Sequence, residues 1–99
     1  MKQAIAELLA PLLGALRGYS MLDEVKPATF HLRGRDFIHF HETPDGVVAD
    51  VLLARGRVHM SVCTSSEQAE LLERIENRLA SLEEHGQQKR QRLERRRRG

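Results

Sequence analysis

The residues best equipped for chemistry are the histidines. Four of the five, His31, His39, His41 and His59, fall within residues 28–63. His39-Phe40-His41 is a His-x-His pair. On a strand, such a pair turns both imidazoles to one face, about 7 Å apart, a spacing many metal sites use. Asp50, Glu42 and Cys63 add other ligand types nearby. The candidate ligand or metal set is therefore His31, His39, His41, His59 and Asp50. Cys63 is the sole cysteine, so no internal disulfide forms; a buried, inert thiol is expected. No nucleophile–base arrangement, Gly-rich phosphate loop or Cys-x-x-Cys pair is present, so the sequence assigns no catalysis.

The second chemical signal is charge. Residues 87–99 hold seven basic side chains, Lys89, Arg90, Arg92, Arg95, Arg96, Arg97 and Arg98, against one acid, Glu94. Residues 1–86 carry nine Lys or Arg and thirteen Asp or Glu, so the formal net charge of +2 hides a body at −4 and a tail at +6. Clustered Arg binds phosphates bidentately and attracts polyanions without sequence preference. The tail is the candidate nucleic-acid or polyanion contact. It has no aromatic residue for base stacking and too little apolar surface to pack, so it reads as flexible or as a frayed helix extension.

These residues must be positioned by the elements of one small domain over residues 1–86. Ile5, Leu8, Leu9, Leu12, Leu13 and Leu16 recur at helical spacing and predict an amphipathic helix over 2–17, kinked or restarted at Pro11. Twofold alternation then predicts four strands: Ala28–Arg33, Asp36–Glu42, Val47–Ala54 and Arg57–Cys63. Their connections are too short for parallel crossovers, so they form an antiparallel meander. Thr64 with Glu67, or Ser65 with Gln68, predicts a capping box. A helix follows with Ala69, Leu72, Ile75, Leu79 and Leu82 on one stripe, ending near Gly86. The expected class is α+β, in the order α-β-β-β-β-α, plus a basic tail.

Register decides which side chains meet. With Gly34-Arg35 and Arg55-Gly56 as two-residue loops and Pro44-Asp45-Gly46 as a three-residue loop, one face carries Phe30, Leu32, Phe37, Val47, Ala49, Val51, Leu53, Val58, Met60 and Val62. His39 and His41 share that apolar face. The other face carries His31, Ile38, Phe40, Glu42, Asp50, His59 and Cys63. On this register neither face gathers three obvious ligands around the His pair. No cofactor is then expected; the alternative reading is a domain, enzymatic or not, that binds a divalent metal or a small ligand on the His-rich strands.

The stretch Phe30-His31-Leu32-Arg33-Gly34-Arg35-Asp36-Phe37-Ile38-His39-Phe40-His41, followed by Ala49-Asp50, resembles the small bacterial luciferase-domain family, itself linked to the YjbR-like α+β fold. The resemblance covers about residues 27–82. It implies a strand, a hairpin and a terminal helix, with no assigned activity. Through the YjbR-like fold it also implies DNA contact, in keeping with the tail.

The sequence thus points to a cytoplasmic binding protein without evident catalysis. Its expected partners are a second copy in a homodimer, nucleic acid or another polyanion through the tail, and an unidentified protein. No apolar run reaches the roughly 18 residues of a membrane-spanning helix.

Overall fold

A computed structural model describes the backbone of residues 3–98 and the side chains of residues 3–83. The elements run α1 (Gln3–Arg17), β1 (Leu22–Lys26), β2 (Thr29–Leu32), β3 (Arg35–Thr43), β4 (Gly46–Leu53), β5 (Gly56–Ser61) and α2 (Ser65–Arg98). The strands form one antiparallel sheet in the order β1-β2-β3-β4-β5. The α+β class and the meander match expectation. The strand count does not: five strands are present, because Leu22–Lys26 pairs with β2. Only Leu22 of that strand is buried. Its sequence therefore carries no apolar alternation to announce it.

Both helices cover one face of the sheet. From α1, Leu9, Leu12, Leu13 and Leu16 enter a core with Phe30, Phe37, Ile38, Val47, Ala49, Val51 and Val62 from the strands and Leu71, Ile75 and Leu79 from α2. α1 is a single helix that passes through Pro11. Ile75 and Leu79 of the expected α2 stripe are buried, but Gln68 and Leu71 are buried with them, while Ala69 is exposed and Leu72 and Leu82 are only half-buried. The buried Gln68 amide donates to the carbonyls of Leu8 and Val62, both at 3.0 Å, and so ties α1, the end of the sheet and α2 together. The Thr64–Glu67 alternative is the capping box: Glu67 N–H donates to Thr64 Oγ1 and Thr64 N–H to Glu67 Oε1, each at 3.1 Å. α2 runs on through Gly86, where a break was expected. The side chains of Lys89, Arg90, Arg92, Arg95, Arg96, Arg97 and Arg98 lie outside the described residues.

Three turns correct the expected register. The first loop is Arg33-Gly34, closed by Leu32 opposite Arg35. Both loop residues have positive φ, 55° and 80°, the signature of a type I′ hairpin. The second is the two-residue loop Pro44-Asp45, because Gly46 pairs with Thr43 instead of belonging to the turn. The third is Ala54-Arg55, closed by Leu53 opposite Gly56. Removing one residue from the middle loop inverts β3 relative to β4. A bulge adds to this. Phe30 faces Ile38 while His31 faces Asp36, which leaves Phe37 as the extra residue on β3. Phe37 and Ile38 are therefore both buried, although they are adjacent.

Candidate metal centre on the uncovered face

Cross-strand partners share a face, so the observed register places the chemistry directly. His39 lies opposite Asp50, and Asp50 lies opposite His59. His41 lies opposite Val48, two residues along on the same side. A second rung sets Asp23 opposite His31, and His31 opposite Asp36. All four strand histidines thus share the face that the helices leave open, with three aspartates alternating between them. This overturns the expectation that His39 and His41 sit on the apolar face, apart from Asp50. The side chains displaced from the open face by the same inversion are Ile38, which is fully buried, and Phe40, which packs against the core.

Asp50 is the centre of the cluster. Its side chain is 11% exposed. Oδ2 lies 3.3 Å from His39 Nε2, 3.3 Å from His59 Nε2 and 3.8 Å from His41 Nε2. Oδ1 accepts a hydrogen bond from Arg57 Nη1 at 2.8 Å. Burial pushes the Asp50 carboxyl up. Hydrogen bonds from Arg57 and His59, and the charges of Arg57 and His39, more than offset that and hold it below the ordinary carboxylate range. The His39 and His41 rings meet edge to face with centroids 4.7 Å apart.

A second tier holds the first. Asp36 Oδ2 accepts from Arg57 Nη2 at 2.7 Å and lies 3.0 Å from His39 Nδ1. The same Arg57 nitrogen donates to the Asp36 carbonyl at 3.0 Å. Asp36 Oδ1 is closed off from water and has no hydrogen-bond partner among the described residues. The Phe37 bulge makes these contacts available: it puts Asp36 and His39, three apart in sequence, on the same face. Arg57 and Asp36 had no place in the expected site. The Asp36-x-x-His39-x-His41 spacing is visible in the sequence, but it reads as one cluster only once the bulge is known.

His39, His41 and Asp50 each offer a ligand atom within 4.8 Å of the others, and they are the group of this kind among the described residues. His59 reaches Asp50 from β5 and is 69% exposed. His31 shares the face but sits on the neighbouring rung. Glu42 alternates onto the helix-covered side, opposite Val47. Cys63 lies past β5 and is half-buried, with its Sγ 3.4 Å from the Val47 N–H that donates to it. A cleft of about 500 Å³ under α1 is lined by Ala6, Leu13, Pro27, Ala28, Phe40 and Val47, with Arg17 and Glu42 as its charged groups. Arg17 at its rim is already held by Glu24, at 2.8 and 2.9 Å. The convergent polar groups are on the open sheet face, not there.

No family model, curated protein or solved structure matches the chain. Among the described residues, no helix is long and apolar enough to cross a membrane.

Proposed function

We propose that the uncovered sheet face binds a divalent transition metal through His39, His41 and Asp50, with His59 as the fourth ligand. One observation supports this above the others. Three imidazole Nε2 atoms stand 3.3, 3.3 and 3.8 Å from a single carboxylate oxygen. Ligands around a four-coordinate ion with bonds of about 2.0–2.1 Å stand about 3.3–3.4 Å apart. His39 and His59 stand at that distance from Asp50 Oδ2, and His41, at 3.8 Å, stands wider. Three nitrogens, one oxygen and no thiolate suit Zn²⁺ and its neighbours rather than Mg²⁺ or Ca²⁺. Two carboxylates and one guanidinium leave the site net negative before a dication enters. His59, the most exposed ligand, is the one most readily exchanged for water, which is the feature that separates a reactive centre from a structural one.

The test is a thermal melt of tag-free, chelator-treated protein with and without Zn²⁺. An ion present at a hundred times its Kd stabilises the fold by about 2.7 kcal/mol. The melting temperature should rise with Zn²⁺ in the wild type and stay fixed in His39→Ala/His41→Ala. A wild type indifferent to Zn²⁺ contradicts the reading.

A second reading rests on the charge segregation between body and tail. Here Lys89, Arg90, Arg92 and Arg95 to Arg98 hold nucleic acid or another polyanion. Retention at low salt should disappear when Arg95, Arg96, Arg97 and Arg98 become Ser. Failure of the intact chain to shift DNA or RNA refutes it.

A further inference from the structure

Arg57 is not one of the ligands, yet it alone joins the carboxylates of Asp50 and Asp36. Its Nη1 occupies Asp50 Oδ1 at 2.8 Å. Its Nη2 occupies Asp36 Oδ2 at 2.7 Å and the Asp36 carbonyl at 3.0 Å. Asp36 Oδ2 in turn faces His39 Nδ1 at 3.0 Å. We infer that Arg57 is the specificity-determining residue of the metal centre: it holds Asp50 to a single ligating oxygen and, through Asp36, holds His39 to coordination by Nε2. The inference rests on the reading of this face as a metal site.

The number of ligand atoms that Asp50 can offer decides the metal. A carboxylate with both oxygens free can chelate, and that is how hard cations reach six or more oxygen-rich contacts. With Oδ1 taken, Asp50 gives one oxygen, Oδ2, where the three imidazoles converge. His39, His41 and Asp50 then give three ligand atoms, and His59 beside the same oxygen brings the number to four, the coordination number usual for Zn²⁺. Asp36 performs the companion task. A proton held on His39 Nδ1 toward Asp36 leaves the Nε2 lone pair to ligate, the carboxylate–histidine–metal pattern that orients many metal sites. Because Asp36 Oδ1 has no hydrogen-bond partner among the described residues, the Asp36 carboxylate is answered there through Oδ2. Arg57 and His39 therefore share one oxygen, and moving the guanidinium moves the ring. The fork geometry matters: one planar group spans two carboxylates on adjacent strands, which a lysine ammonium cannot reproduce.

The experiment is a Co²⁺ titration, read by its visible d–d absorption, with Zn²⁺ and Mn²⁺ competition. It uses tag-free wild type, Arg57→Lys and Arg57→Gln. Far-UV circular dichroism of the metal-free proteins establishes folding, and the two variants together guard against a folding defect in either. The wild type should give the intense band of four-coordinate Co²⁺. Both variants should give the weak band of higher coordination, and their preference for Zn²⁺ over Mn²⁺ should fall about 10- to 100-fold. Arg57→Lys keeps the charge, so its failure to rescue the band assigns the effect to the fork. A folded variant with the wild-type band and wild-type preference overturns the inference and leaves the metal site standing. A wild type that takes up no Co²⁺ overturns both.

Discussion

Asp50→Asn removes one charge from the centre of the uncovered face and almost no volume. In the metal-free protein the Asp50 carboxylate is 11% exposed and accepts from Arg57 at 2.8 Å. A hydrogen bond to a charged group contributes about 1.5–3 kcal/mol. Arg57 is 37% exposed, so water screens part of that gain. The expected loss is therefore about 1–2 kcal/mol. At about 4–8 °C per kcal/mol for a domain of this size, the melting temperature should fall by roughly 4–16 °C at pH 7 in chelator. The pH dependence identifies the cause. The Asp50 carboxyl is held below its ordinary value in the fold, so its contribution is present above the unfolded value near pH ~4 and fades as pH falls through the lower folded value. Wild type and Asp50→Asn should converge in acid. Equal melting temperatures at pH 7, or a gap that persists unchanged at about pH 2.5, would refute the assignment of this charge network.

Other perturbations have equally definite outcomes. Tyr19 donates to Glu76 at 2.7 Å, and burial together with that contact pushes its phenol up to about 12. Tyr19 is the only tyrosine and there is no tryptophan, so absorbance titration reads it alone. Glu76→Gln should lower the midpoint, and stability should decline above the unfolded value near pH ~10 as the unfolded phenol ionises first. Gly46→Ala places a methyl against Cys63 Sγ at a φ of 142° and should cost about 1–3 kcal/mol in a denaturant melt. Thr64→Ala removes half of the reciprocal cap and should cost about 1 kcal/mol, measured the same way.

The legible parts of the fold were those set by local chemistry. The Leu9–Leu16 stripe and the Thr64–Glu67 box each state their geometry within a few residues, and Gly34 marks the place of a turn though not which two residues form its loop. The meander followed from loops too short to cross over. What escaped depended on single-residue parity. Pro44-Asp45-Gly46 fits a three-residue loop as readily as Pro44-Asp45 fits a two-residue one, and only pairing along the whole of β4 decides between them. Phe37 and Ile38 are both apolar, so nothing in their types reveals that one is a bulge. Those two ambiguities governed the site: the candidate residues His39, His41, His59 and Asp50 were identified by type, but their meeting was not. Strand β1 escaped for another reason, since an edge strand with one buried residue has no apolar period to read. The tail, conspicuous in composition, gave charge without geometry.

The central claim is that His39, His41 and Asp50 hold a metal ion. Equilibrium dialysis of tag-free protein against Zn²⁺, with elemental analysis of the retained metal, tests it most directly. The account predicts one equivalent per chain in the wild type and loss of that equivalent in His39→Ala/His41→Ala. Retention well below one equivalent, or an equivalent that survives the double substitution, would contradict it.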